Sequence, residues 1–329
     1  MEHTTSSKIT DIIRHRKSVR NYSPAGITKD AMEEIKGFLK KDFRLPFKTT
    51  PRFEFIDSGE LDRQELKKLG TYGIINGAKY FIAGIAKKAL QDNALKDTTQ
   101  DIQGPKPAAG TENLVDLGFA FEEIILKLTS MGFGTCWLGG TFNRAGFESR
   151  ANLSEGEVLA AVSPFGYKND RRSLMDSVIR GIAGSKNRKP RELLFFENDF
   201  NNPASESGSG DYNIPLEMVR AAPSASNKQP WRIVLEKERS PDTGPDKKQG
   251  MKVKSCHFFL SRTPNYAKIP FMPDLQVVDI GIAMCHFELA CAESGIKGRW
   301  EKAQKQITDE IAQSYKSNEE LVYINSWQH

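Results

Sequence analysis

Pro223-Ser224-Ala225-Ser226-Asn227-Lys228-Gln229-Pro230-Trp231 is the stretch whose reading decides the fold. Pro230 is expected to hold Gln229 extended and cannot sit inside a sheet, so it marks the entrance to an apolar strand, Trp231-Arg232-Ile233-Val234-Leu235. Ahead of that strand, Ser224, Ser226, Asn227 and Gln229 crowd donors and acceptors into one tight loop, which is what the polar edge of a ring ligand needs from a protein.

Working outward, the loop belongs to the later member of a repeated pattern. Val115-Asp116-Leu117-Gly118-Phe119-Ala120 recurs as Val278-Asp279-Ile280-Gly281-Ile282-Ala283. Each copy opens an apolar helix (Asn113 to Ser130 in the first), passes glycines, reaches a tryptophan (Trp137, Trp300) and ends in a late strand. Asp116 to Glu157 and Asp279 to Glu320 are both 41 residues apart. Upstream, Arg16-Lys17 pairs with Arg188-Lys189, and Thr50-Pro51-Arg52 with Gln229-Pro230-Trp231. The chain therefore divides into copies over 1–180 and 181–329 that match the two subunits of a two-fold dimer. Asn201 to Gly210 is expected to be a flexible surface insert, Asp97 to Thr111 a long surface loop, and Ser240 to Gly250 a hairpin connection.

The 329 residues, 38% hydrophobic and 27% charged, suit a globular protein with ample core. A formal charge of +5, from 47 basic and 42 acidic residues, is small and dispersed, and argues for neither nucleic acid nor membrane as partner. No apolar run marks a secretory signal or is expected to span a bilayer, so a cytoplasmic protein is expected. Cys136, Cys256, Cys285 and Cys291 lack metal-ligand spacing and read as packed, reduced thiols; no metal is expected. His15, His257 and His286 show no serine–acid or cysteine–acid partner in the sequence, so a cofactor must carry any chemistry.

Pro223 to Trp231 resembles the P-S-x-x-N-x-Q-P-W signature of the FMN-dependent nitroreductase family, with six of nine positions fixed by the motif. Arg16-Lys17-Ser18-Val19-Arg20 is similar to the family's amino-terminal R-x-S-x-R flavin motif. The resemblance implies an α+β fold, as two tandem copies forming a pseudo-dimer with central antiparallel or mixed sheets flanked by helices. Members of this family are usually homodimers whose flavin sites combine phosphate and ring contacts from one subunit with the Pro-Ser loop of the other. Here the fused copies imply one FMN per chain in a monomeric pseudo-dimer. Arg16, Lys17 and Ser18 are the phosphate and ribityl candidates and Arg20 the candidate for the pyrimidine edge. Gly139-Gly140 matches the family loop whose backbone N–H faces flavin N5, although an acid often stands first there and this chain has none. Arg171 and Arg172 fall where relatives place a further basic phosphate contact, and Pro223, Ser224, Ala225, Asn227 and Gln229 complete the set. Trp137 reads as a core tryptophan that could also wall the ring.

A second flavin site is expected to be dismantled. Its loop has become Leu45-Pro46-Phe47-Lys48-Thr49-Thr50-Pro51-Arg52, and its basic motif Arg188-Lys189-Pro190-Arg191-Glu192. The implied activity is an oxidoreductase in which NAD(P)H delivers hydride to flavin N5 and then gives way, ping-pong fashion, to a nitro- or quinone-type electron acceptor. Two further readings stay open: an FMN-binding carrier or redox sensor without turnover, and a specialised reductive enzyme of the dehalogenase type.

Overall fold

The computed structural model describes residues 7–60, 69–71, 73–88, 108, 110–169, 187–239, 251–264, 266 and 272–329. Most of the Asp97 to Thr111 loop, Arg171, Arg172 and the 240–250 connection lie outside the described residues.

The first half contributes α1 (Ile9–His15), α2 (Lys29–Leu39), β1 (Arg52–Asp57), β2 (Tyr80–Lys87), α3 (Thr111–Ser130), β3 (Gly134–Thr135), α4 (Arg144–Arg150) and β4 (Glu157–Gly166). Thr28 caps α2, its hydroxyl accepting from Ala31 N at 3.3 Å. The strands form one antiparallel sheet in the order β1-β2-β4-β3. The second half contributes β5 (Phe195–Glu197), α5 (Asn213–Ala221), β6 (Trp231–Arg239), β7 (Met251–Ser261), α6 (Leu275–Glu293), β8 (Arg299–Glu301), α7 (Lys305–Gln313) and β9 (Leu321–Gln328). Its sheet runs β5-β6-β7-β9-β8, mixed because β5 and β6 are parallel. This is the expected α+β architecture of two sheets with helices between.

The repeat has a physical cause at the centre. Helices α3 and α6 pack against each other through their Val-Asp-x-Gly segments. A Cβ on Gly118 would lie 2.2 Å from the Val278 carbonyl oxygen, and one on Gly281 2.0 Å from that of Val115. Only glycine at both positions lets the two backbones approach so closely. The neighbouring aspartates repeat a second task. Asp116 accepts from Phe47 N and Thr49 N at 3.0 and 2.8 Å, and Asp279 accepts from Ala225 N at 2.9 Å. Each aspartate thus pins the loop that precedes a strand in its own half.

By length and composition α6 could cross a bilayer, contrary to the expectation that no such segment exists. It is instead the most enclosed helix, with Ile280, Ala283, Met284, Cys285 and Phe287 all at 0% exposure or nearly so. All four cysteines are buried and free. The Asn201 to Gly210 segment lies mostly at the surface, as expected, and is anchored at Ala204 and Ser209. Ala204 N donates to Phe195 O at 2.9 Å, Arg191 donates to Ser209 Oγ at 2.6 Å, and Ser209 is fully buried. Hydrogen bonds to β5 and a clamping arginine outweigh the segment's small, polar composition.

Candidate functional site

Beyond α1 the chain runs beside β3. Val19 N donates to Thr135 O at 2.8 Å, and Tyr22 Oη donates back to Val19 O at 2.7 Å. Val19 is buried against Gly134, where a Cβ would meet Val19 Cγ2 at 2.6 Å. Extended backbone sends its neighbours Ser18 and Arg20 to the opposite face. That face is a cavity of about 1480 Å³ between the two halves. Helix α1 is held there from the other half, because Thr10 Oγ1 donates to Glu293 Oε2 at 2.7 Å at the end of α6.

The opposite wall is the Pro223 to Asn227 loop. Asp279 fixes Ala225, and Ser224 Oγ accepts from Gln229 N at 2.9 Å. Ser226, Asn227 and Gln229 all take left-handed backbone, with φ of 49°, 54° and 48°. Three such non-glycine residues within four positions store strain of the kind that gathers at ligand sites. Gln229 is therefore not extended as Pro230 led us to expect. Its side chain, 1% exposed, accepts from Lys189 N at 2.8 Å and donates to Asn227 O at 3.0 Å, and these bonds hold the unusual backbone.

Arg16, Lys17, Ser18, Arg20, Gly139, Gly140, Pro223, Ser224, Ala225 and Asn227 all line this one cavity. Gln229 does not; it braces the loop from behind. Arg171 and Arg172 lie outside the described residues. The glycine at 139 is already used by the protein itself, since a Cβ there would sit 2.5 Å from Leu275 Cδ1 across the inter-copy boundary. At Gly140 the nearest atom to a Cβ would be Met272 Cε at 3.0 Å. Trp137 does both things open to it: its ring packs on Phe121 with centroids 4.7 Å apart, and it faces the cavity.

Two features were not legible in the sequence. The first is a buried polar group behind Trp137. Glu122, at 0% exposure, accepts from Trp137 Nε1 at 2.7 Å and meets His286 Nε2 at 2.9 Å, while His286 Nδ1 lies 2.9 Å from Met218 O. Both imidazole nitrogens face oxygen acceptors, so the pair holds a proton between Nε2 and Oε1. Glu122 and His286 stand 164 positions apart, on α3 and α6, so no local pattern could join them. The second feature is Arg188, which belongs to the second copy's basic segment and lines this cavity. Burial, then the charges of Arg16 and Arg220, lower its pKa to about 10. A serine–histidine–acid cluster also exists. His257 Nδ1 lies 2.7 Å from Ser326 Oγ and Nε2 lies 3.2 Å from Glu236 Oε2. Ser326 and His257, at 0% and 1% exposure, are closed to any substrate.

Fit to a phosphorylated flavin can be judged on the donors. Arg16 has a side chain only 7% exposed; among the described residues its Nε and Nη1 are buried with no hydrogen-bond partner, and the carboxylate of Glu122 lies 4.0 Å from Nε. A buried guanidinium with donors unmet is costly unless a ligand meets them. The cavity, about 1480 Å³, is larger than the roughly 300–1,000 Å³ of most small-molecule pockets. At the place equivalent to Gly139 the second half carries a lysine. Trp137 and Trp300 correspond at a separation of 163 positions, which places Lys302 where the first copy has Gly139. Lys302 Nζ sits 4.7 Å over the Phe47 ring and donates to Ile324 O at 2.6 Å, filling that place with side chain.

Two α+β units crossed at paired glycines, with a cavity walled by the front of one and a loop of the other, constitute the nitroreductase fold. The chain belongs to the family described as "Putative TM nitroreductase", whose model matches residues 102–291, more than half of its length. Among solved structures, one described as a putative nitroreductase from Thermotoga maritima msb8 is 17% identical, with 100% of this chain and 96% of that chain covered and a TM-score of 0.52; this likeness is one of fold. A nitroreductase family protein from Clostridium novyi NT is 19% identical over 50% of this chain and 87% of its own, with a TM-score of 0.36. An FMN-dependent nitroreductase from Clostridium difficile R20291 is 15% identical over 49% of this chain and 88% of its own, with a TM-score of 0.34. A search of curated proteins finds no match. Family membership supports a general oxidoreductase role.

Proposed function

We propose that the protein is an FMN-dependent oxidoreductase that takes electrons from NAD(P)H and passes them to a nitro-, quinone- or related small-molecule acceptor, with one FMN held per chain. The observation that carries this reading is the meeting of Arg16 to Arg20 from copy 1–180 with Pro223 to Asn227 from copy 181–329 around one cavity, where two buried guanidinium nitrogens of Arg16 have no hydrogen-bond partner among the described residues. When bound, FMN supplies hydride acceptance at N5 and onward electron delivery. The chain's own part is binding, orientation and exclusion of water. Arg16, Lys17 and Ser18 would take the phosphate and ribityl oxygens, and Arg20 would favour negative charge at the pyrimidine edge. Ser224, Ala225 and Asn227 would meet the polar ring edge from the other copy, with the Gly140 backbone near N5. The Glu122–His286 pair fixes Trp137 at the wall.

The test is spectroscopic. Purified protein should show an oxidised-flavin absorbance spectrum at a stoichiometry of one FMN per chain. Anaerobic NADH or NADPH should bleach it, and a nitroaromatic or quinone should restore it. A flavin that neither donor bleaches would reject the enzyme in favour of a carrier, and two flavins per chain would reject the single-site arrangement.

A further inference from the structure

Arg188 is the residue that the proposed function leaves unexplained. It comes from the second copy's basic motif, yet it faces the cavity that holds the first copy's motif. Its Nη1 donates to Asn227 Oδ1 and its Nη2 to the Ala221 carbonyl, both at 2.8 Å. Both acceptors are neutral, and a neutral amide could serve them as well. Among the described residues no carboxylate lies within ion-pairing distance of it, whereas the charges of Arg16 and Arg220 act against its own, and Arg16 and Arg220 line the same cavity. Glu217, the carboxylate nearest Arg220, is already shared between Arg220 and Arg191 at 2.9 and 2.8 Å. A mostly buried guanidinium beside two others, without a counter-charge, stores repulsion that a dianion would relieve. Three of its five N–H groups remain for such a ligand.

We infer that Arg188 and Arg16, one from each copy, form a two-sided site for a phosphate dianion, so that the ligand's phosphate ties the copies together. This rests on the proposed function for the identity of the phosphate's carrier, FMN. It adds that a residue inherited from the closed second site now sets selectivity for phosphorylated over unphosphorylated flavin. An FMN phosphate carries about two negative charges at neutral pH. Losing one charged hydrogen-bonding partner should weaken it roughly 10- to 100-fold.

The experiment measures dissociation constants of FMN and riboflavin, by flavin fluorescence, for wild type, Arg188→Gln and Arg188→Lys. The expected result is a loss of FMN affinity of about 10- to 100-fold in Arg188→Gln, with riboflavin affinity unchanged and part of the FMN preference recovered in Arg188→Lys. An unchanged FMN-to-riboflavin ratio overturns the inference. So does an equal loss of both ligands, which would make Arg188 a strut for Asn227 and Ala221. Wild type that takes up neither flavin would reject the proposed function instead. The anion site is then judged on inorganic pyrophosphate: a thermal shift present in wild type and absent in Arg188→Gln upholds it, and any other result overturns it.

Discussion

Replacing Gly281 by alanine puts the central crossing to the test. On propensity alone the change should help, since alanine is better than glycine inside a helix by about 1 kcal/mol. The crossing opposes this. The new Cβ would stand 2.0 Å from Val115 O and 2.8 Å from Phe119 N, both backbone atoms of α3 that no rotamer change can move. Reaching an ordinary contact of about 3.4 Å requires the helices to part by more than 1 Å, and a gap of that size forfeits a quarter to a half of each dispersion contact along the interface. With overpacking costs of about 1–3 kcal/mol and lost contacts added, a net destabilisation of roughly 2–4 kcal/mol is expected. The control is Gly37→Ala in α2, where a Cβ would meet nothing within 4 Å. That change should stabilise by about 0.5–1 kcal/mol. Urea unfolding followed by circular dichroism reads both. Equal or greater stability for Gly281→Ala would refute the argument that backbone approach at this glycine holds the two halves together.

Three further outcomes are expected. Burial pushes the Asp116 carboxyl up to about 6, above its unfolded value near 3.9, so the folded state binds more protons between those values and stability should fall as pH rises through them, by up to about 2–3 kcal/mol; Asp116→Asn should lack this slope in pH-dependent denaturation. Glu157 behaves oppositely: its hydrogen bonds with Arg52 lower it to about 2, so its contribution is present above about pH 4.5 and fades as pH falls toward 2, by about 1 kcal/mol after solvent screening at this partly exposed pair, and Glu157→Gln should flatten that acid limb. Gly139→Lys should abolish flavin uptake by crowding Leu275 and the cavity, whereas Lys302→Gly should leave uptake intact and cost roughly 1 kcal/mol through the lost contact with Phe47; flavin retention and unfolding midpoints check the pair, and retention by Gly139→Lys would sink the comparison.

The parts legible in the sequence are those where one residue type alone can do a backbone-facing task. Gly118 and Gly281 recur because a side chain at either would enter the opposite helix, and Asp116 and Asp279 recur because each holds the amides of a loop. The Pro-Ser loop was legible through its prolines and amides, and the basic segment through its spacing. What escaped depends on tertiary register. Glu122 and His286 meet only because α3 and α6 cross where they do, and Ser326 reaches His257 only through the pairing of β9 with β7. The left-handed Gln229 ran against the rule for a residue before proline because its buried amide has three backbone partners that favour the observed turn. The Asn201 to Gly210 segment has the composition of a linker, and its anchors at Ala204 and Ser209 depend on distant partners, Phe195 and Arg191.

Covalent fusion explains why the two copies differ where they do. In a symmetric dimer each position serves both sites, so a lysine at the place of Gly139 would close both at once. In one chain the second copy is free of that constraint: Lys302 covers Phe47, whose amide donates to Asp116 as the amide of Ala225 donates to Asp279. The same freedom lets a basic residue change sides. Arg16 and Arg188 began as equivalent positions of a repeat, and both now face one cavity, while Arg191 turns away to Glu217 and Ser209. The differences therefore fall on the residues at the cavity and its equivalent place: a lysine stands at 302 where the first copy has Gly139, and Arg188 lines the same cavity as Arg16.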